Sequence, residues 1–200
     1  MVFLINLKHK LKIVIIVIKN KFLIYYMHLI VAVNQKNVIG KNNSIPWHIS
    51  EDLKNFKEVT NNHIIVMGRK TYESLPQKPL PNRINIVITS QPENYENSEN
   101  IIFTNIESSV DKIIEINRNN DNKKKIFIIG GTNIYQHFLP YCTRMHVTKI
   151  FNDCDGDSFF PYDLETYTKE NNFQEKNCSK VKMEKNIKYQ LFVYEKNSGL

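Results

Sequence analysis

Cysteine is scarce in this chain: 200 residues hold three, Cys142, Cys154 and Cys178. An odd count without close spacing argues against a disulfide framework and a cysteine-built zinc site, and fits a reducing compartment. The six histidines show no two-ligand spacing of the metalloprotease kind, so no metal is expected. Glycine is also sparse, at six, and no G-x-G-x-x-G stretch occurs, so the Rossmann fingerprint is missing. Long apolar runs are absent. Ile13–Ile18, flanked by Lys12 and Lys19, is far short of the about 20 residues a membrane span needs. Acidic residues are missing from residues 1–26, which carry Lys8, Lys10, Lys12, Lys19 and Lys21. Those five positive charges leave only +2 of the net +7 to the rest of the chain. A nucleic-acid-binding body would need a basic stripe, so no nucleic-acid partner is expected.

What remains is the composition of a globular protein, 42% hydrophobic and 24% charged, with enough length for one well-filled core. The chain divides into residues 1–26, a basic and apolar extension, and residues 27–198, the functional domain. The extension reads as an upstream appendage, as a peripheral membrane or targeting segment, or as a signal peptide lacking its small-residue cleavage site.

From Met27 the pattern alternates between apolar runs and amphipathic stretches. Runs at His28–Val33, His63–Met67, Ile84–Thr89, Ile101–Phe103 and Ile126–Ile129 have the continuous apolar character of strands buried on both faces. A long polar loop, Asn34–Ser44, follows the first. Helices are expected over Ser50–Thr60 with Ser50 as N-cap, from Thr71 onward with Thr71 as N-cap, over Ile106–Asn117, and through Phe138. The last third alternates as Met145–Ile150, Asn172–Lys180 and Tyr189–Tyr194, which predicts an antiparallel hairpin joined by a long turn. The fold class is therefore α/β: a single domain on a predominantly parallel mixed sheet of about eight strands, with helices on both faces.

Three stretches carry chemistry. Asp52, Leu53 and Phe56 share one side of the helix after Pro46, so one carboxylate stands on an otherwise apolar face. It reads either as a helix-start acid favoured by the macrodipole or as a functional group. Gly130-Gly131 lies between a strand and a helix, where backbone can approach a phosphate. Gly68-Arg69-Lys70-Thr71 offers a second anion site at another strand end, or two solvated cations. Two such sites suit a ligand with separated phosphates, bound at the carboxyl ends of the strands.

The residues from Met27 onward resemble dihydrofolate reductase. The matching pieces are Ile30-Val31-Ala32, Val38-Ile39-Gly40, Ile45-Pro46-Trp47, Asp52-Leu53-Lys54-Asn55-Phe56-Lys57, Val66 to Thr71, Pro79 to Arg83, Ile128 to Gly131 with Tyr135, and Gly156-Asp157. They occur in family order over about residues 28–195. The resemblance implies reduction of 7,8-dihydrofolate to tetrahydrofolate with NADPH, in support of one-carbon and thymidylate metabolism, by a cytoplasmic, monomeric enzyme.

It also implies roles. Asp52 would grip the pterin N3 and 2-amino group, with Thr148 supporting it and Trp47 closing the lid over residues 34–48. Burial should raise the Asp52 pKa and the pterin contact should oppose that. Ile30, Val31, Leu53, Phe56, Leu75 and Tyr135 would line the substrate pocket. Arg83 would hold the substrate's glutamate α-carboxylate, with Lys57 contributing weakly. Ala32, Ile39, Gly40 and Ile45 would meet the nicotinamide end of the cofactor. Gly68, Arg69, Lys70, Thr71, Thr89 and Ser90 would take its phosphates and adenosine. Ile129, Gly130, Gly131, Thr132, Asn133 and Ile134 would cradle the pyrophosphate, and Asp157 would tether the lid. Two departures stand out: Tyr72 where many members have tryptophan, and Thr132 in place of a third glycine. The rival readings are a related reductase of another heterocycle, a basic binding module, and a catalytically silent scaffold.

Overall fold

The computed structural model describes residues 27–121 and 124–197, so the extension over residues 1–26 lies outside the described residues. One sheet runs through the molecule. Its strands are β1 (Met27–Asn34), β3 (Ile64–Gly68), β4 (Ile84–Ile88), β5 (Ile101–Thr104), β6 (Ile126–Gly130), β7 (Arg144–Phe151), β9 (Phe173–Cys178), β10 (Lys182–Glu184) and β11 (Ile187–Lys196). Eight of them lie in the order β10-β11-β7-β1-β6-β3-β4-β5, and β9 also pairs with β11. From β7 to β5 neighbouring strands are parallel, while β11 is antiparallel to β7, β9 and β10. Two short strands, β2 (Val38–Gly40) and β8 (Ser158–Phe159), form a separate antiparallel pair.

The central strands are apolar because both faces are covered. Leu29, Ile64, Ile65, Val66, Met67, Ile126, Phe127 and Ile128 are fully buried. Each such side chain contributes roughly 1.5–3 kcal/mol of transfer free energy. Alternation splits the core in two. Leu29, Val31 and Val33 face the cluster under helices α3 (Ser109–Asn119) and α4 (Thr132–Phe138), whereas Ile30 faces Phe56, Leu75 and Phe127. Helix α1 (Ser50–Thr60) lies beside that second cluster, α2 (Arg69–Ser74) follows β3, and α5 (Leu164–Glu170) precedes β9.

Several local expectations are corrected. Ser50 is not the N-cap of α1. Ile49 occupies that position in an extended conformation, 1% exposed among Val38 and Trp47, so core packing sets the helix start. Thr71 is not a cap either, because α2 begins at Arg69 directly from Gly68. Helix α3 begins at Ser109 rather than Ile106. The Asn105 side chain accepts from the Ser108 amide at 2.9 Å, and this local turn displaces the first helical residues. The loop Asn34–Ser44 contains strand β2. The long turn of the C-terminal hairpin contains β10, joined to β11 through Lys185 and Asn186, whose φ values are 48° and 65°. Two positive φ values suit a two-residue hairpin turn, which asparagine tolerates better than most residues.

Candidate active site

A groove opens between helix α1 and the carboxyl ends of β1 and β7. Asp52 stands in the first turn of α1 and keeps part of its surface open to the groove. The Thr148 hydroxyl on β7 donates to Asp52 Oδ1 at 2.5 Å. Among the described residues Oδ2 carries no hydrogen bond, so it is free for a ligand. Desolvation raises the Asp52 pKa and the Thr148 hydrogen bond opposes that rise. Above it Trp47 is 7% exposed, and its indole Nε1 is buried without an acceptor. A buried donor without a partner costs free energy unless a ligand or water meets it.

The rest of the pocket is apolar. Ile30 is buried, Phe56 and Leu75 pack against its cluster, and Leu53 is 44% exposed toward the open side. Ile30 and Val31 do not share a face: Val31 points into the opposite cluster, so only its backbone adjoins the groove. Tyr135 lies on the far face as well. Its hydroxyl donates to the Ile30 carbonyl at 2.8 Å, and burial pushes its pKa upward. It therefore fixes β1 from beneath.

At one end of the groove Arg83 is 6% exposed, with Nε donating to Thr60 Oγ1 at 2.8 Å, Nη1 to the Pro81 carbonyl at 2.8 Å and Nη2 to the Lys57 carbonyl at 3.2 Å. Three of its five N–H groups are committed, and two remain for a carboxylate. Lys57 itself points into solvent.

At the other end the two anion-site stretches meet. β3 and β6 are parallel neighbours with Met67 opposite Gly130. A Cβ built on Gly131 would find only Thr71 Oγ1, at 3.6 Å, whereas one on Gly130 would strike the Tyr135 ring at 2.8 Å. Gly130 also has φ 103°, which side chains rarely adopt. Gly131 therefore leaves open space beside Thr71, while Gly130 lets the Tyr135 ring pack directly against the backbone. Lys70 is exposed beside it, and Arg69 is held to both oxygens of Glu73 at 2.7 and 2.8 Å. Thr89 is buried and Ser90 exposed at the end of β4, one strand over. Ile129 and Ile134 pack on opposite faces, and Asn133 is exposed at the start of α4. Thr132 has a use a glycine could not supply: its hydroxyl donates to the Phe159 carbonyl at 2.6 Å.

The loop over residues 34–48, expected to act as a lid, is tied to Asp157. Asp157 Oδ2 accepts from the Asn42 amide at 2.7 Å, and the Asp157 amide donates to the Gly40 carbonyl at 3.1 Å. Gly156 is required here, since a Cβ would lie 2.3 Å from Val38 Cγ1 and 2.5 Å from the Gly40 carbonyl. Ala32 packs with Trp47 and Ile49, Ile39 packs against the cluster under α3 and α4, and Ile45 is 54% exposed.

Sequence reasoning missed two asparagines. Asn34 accepts from the amides of Lys36 and Val38 at 3.0 and 2.9 Å and donates to the Cys154 carbonyl at 2.9 Å, so it anchors the lid's start. Asn85, fully buried in β4, donates to three carbonyls and accepts from the Leu80 amide, which shapes the turn carrying Arg83. The available signal was a single amide within an apolar run.

Comparisons with known proteins fit this geometry. A family model described as dihydrofolate reductase matches residues 26–196. A dihydrofolate reductase of Bacillus subtilis is 35% identical over 177 residues, covering 85% of this chain and 94% of its own. One from Buchnera aphidicola, of Acyrthosiphon pisum, is 44% identical over 142 residues, covering 70% and 83%. Among solved structures, dihydrofolate reductase from Enterococcus faecalis complexed with NADP(H) and RAB-propyl superposes with a TM-score of 0.71. It is 28% identical and covers 88% of this chain and 99% of that one. With nearly the whole described body matched by the family model, the chain belongs to the dihydrofolate reductase family.

Proposed function

We propose that Asp52 is the group that orients substrate in the reaction of this chain, the NADPH-dependent reduction of 7,8-dihydrofolate to 5,6,7,8-tetrahydrofolate. The observation that carries this reading is the half-satisfied carboxylate: Oδ1 is held by Thr148 while Oδ2 takes no hydrogen bond among the described residues. A carboxylate fixed on one side and free on the other can accept two hydrogen bonds from a planar amidine-like edge, here N3 and the 2-amino group of the pterin. Its negative charge favours the protonated ring, whose N5 gains the proton of the reaction. Ile30, Leu53, Phe56 and Leu75 supply flat apolar walls, and the free edge of Arg83 receives the α-carboxylate of the substrate's tail.

The residues at the other end fit NADPH. The open space beside Gly131 would admit a pyrophosphate against backbone, and Lys70 and Thr71, with Arg69 if it leaves Glu73, would supply cations and a hydroxyl to a 2′-phosphate. Thr89 and Ser90 adjoin the adenosine side, and Ala32, Gly40 and Ile45 the nicotinamide side. When bound, NADPH supplies the hydride delivered to C6. The protein's share is to hold two ring systems in register and keep water out, which the Asp157-tethered lid and Trp47 accomplish.

Residues 27–198 constitute this catalytic unit, and residues 1–26 are an appendage, so that deleting them should leave turnover intact. We read the enzyme as a monomer. Among the described residues no helix is long and apolar enough to cross a membrane. The free cysteines Cys142, Cys154 and Cys178 suit the reducing cytoplasm.

The test is the dihydrofolate-dependent loss of NADPH absorbance. Asp52→Asn keeps the shape and the Thr148 contact but removes the charge, and should lower kcat/KM by about 100-fold or more. Unchanged turnover would remove Asp52 from this role.

A further inference from the structure

We propose that Glu184 is a positioning residue: its carboxylate, carried on the β10–β11 hairpin, caps the amino end of helix α1 and so sets where Asp52 stands in the groove. The inference rests on the role assigned to Asp52 above.

The cap of α1 is otherwise defective. Ile49 occupies the N-cap position and has no side-chain acceptor to offer. The missing acceptor arrives from the far end of the chain. The Ser50 amide donates to Glu184 Oε2 at 2.9 Å, and the Ser50 hydroxyl donates to Glu184 Oε1 at 2.7 Å. One carboxylate thus takes both groups of the first helical residue, and a negative charge at that end suits the macrodipole. The next residue is gripped by the same hairpin. Glu51 pairs with Lys182, and the Tyr189 hydroxyl donates to Glu51 Oε2 at 2.7 Å. Asp52 follows immediately.

The hairpin is fixed where these contacts need it. Glu184 lies opposite Ile187 across the two-residue turn, and Tyr189 is 4% exposed and opposite Ile150 of β7. Two residues back along β7 is Thr148, opposite Leu191 of β11. The strand pair that presents the Thr148 hydroxyl to Asp52 also carries the carboxylate that holds its backbone. Burial does not fasten this end of α1, since its one fully buried residue, Thr60, lies at the opposite end. The Lys182–Glu51 pair alone would contribute little at the surface. Glu184 differs because a helix-start amide has no intrahelical acceptor. The charged groups around it are His48 and Lys185 beside Glu184, Lys182 and Lys54 beside Glu51, and Asp52 facing Tyr189.

The experiment uses the full chain with Glu184→Ala, Glu184→Gln and Tyr189→Phe, assayed across pH with dihydrofolate and NADPH and compared with Asp52→Asn. Glutamine keeps an acceptor for the Ser50 amide and a donor toward its hydroxyl, so it preserves geometry without charge. Glu184→Ala should lower kcat/KM for dihydrofolate by about tenfold, short of the ~100-fold cost of displacing a reacting group by an ångström. The ionisation governing that profile should move down toward the ordinary carboxylate range, as water reaches Asp52. NADPH affinity should stay unchanged, Glu184→Gln should recover most of the loss, and Tyr189→Phe should show a smaller loss of the same kind. A Glu184→Ala enzyme with normal kcat/KM and pH profile, beside a crippled Asp52→Asn enzyme, overturns the proposal and leaves the Asp52 reading intact. Equal losses in the alanine and glutamine variants with an unmoved pH profile also overturn it. Full activity in Asp52→Asn overturns the reading beneath it.

Discussion

Helices α1 and α3 are each eleven residues long, and they are held in different ways. Helix α3 buries six residues, among them Val110, Ile113, Ile114 and Ile116, against the sheet. Helix α1 fully buries only Thr60, and Leu53 on its groove side is 44% exposed. The first is fastened by apolar area. The second is fastened at its ends by polar contacts: Ser50 and Glu51 to the hairpin, and Thr60, whose hydroxyl accepts from Arg83 and donates to the Phe56 carbonyl at 2.6 Å. A helix pinned at both ends with part of its apolar middle left uncovered is what a binding wall requires, because the ligand supplies the missing burial.

The sharpest test of this contrast is a matched pair of truncations. Ile113→Ala should cost about 2–5 kcal/mol of stability, since it removes a fully buried side chain. It should leave KM for dihydrofolate unchanged. Leu53→Ala should cost under about 1 kcal/mol, since a half-exposed side chain gives up little burial. It should raise that KM severalfold. Denaturant melts and steady-state kinetics on both variants check this. Equal stability losses in the two would show that α1 is core after all.

The contrast also explains what the sequence disclosed. Apolar periodicity marked the strands and α3, because burial is written in residue type. Asp52, Arg83 and the Gly130-Gly131 turn were legible through their resemblance to a family, as a lone acid, a cation and a glycine pair are otherwise ambiguous. Contacts between distant segments left no local trace. Glu184 and Tyr189 on β11's hairpin look like surface residues in a weakly alternating stretch, and only the fold brings them to Ser50 and Glu51. Ser50 was expected to cap its own helix because it has a cap's chemistry. Burial of Ile49 moved the helix start by one residue, and the Ser50 hydroxyl was left to donate outward. Val31 was expected in the pocket beside Ile30, although strand alternation sends the two to opposite faces.

A smaller effect separates positioning from packing at Asp52 itself. Thr148→Val keeps the volume of a residue 3% exposed but removes the hydroxyl that donates to Oδ1. Losing one hydrogen bond to a charged acceptor should lower kcat/KM by about tenfold. Because that bond lowers the Asp52 pKa, its loss should shift the governing ionisation upward, opposite to the shift expected for Glu184→Ala. A pH profile of the valine variant that moves down, or not at all, would detach Thr148 from Asp52.

The smallest effect sets groove and sheet against each other through pH. At the amino ends of β1 and β7, His28 Nδ1 and His146 Nε2 lie 3.3 Å apart, with the His28 ring edge-on to Phe127 at 5.0 Å. Burial lowers the pKa of His28 to about 3 and that of His146 to about 4, and the neighbouring charges of Arg144 and Lys125 push the same way. Between those values and 6.5 the unfolded chain binds protons that the folded chain does not, so stability rises with pH across this window. Each such histidine should contribute a slope of up to about 1.4 kcal/mol per pH unit. Asp52 has the opposite sign: its raised pKa means the folded state holds a proton the unfolded state has lost, so its contribution falls as pH rises above the ordinary carboxylate value. Denaturant midpoints at pH 5 and pH 7 should therefore differ less in His146→Phe than in the parent, with catalysis at neutral pH unaffected. In Asp52→Asn they should differ slightly more, with catalysis lost. A parent protein equally stable at both values would mean the pair is hydrated, and that this end of the sheet is not the dry, apolar-fastened region set here against the groove.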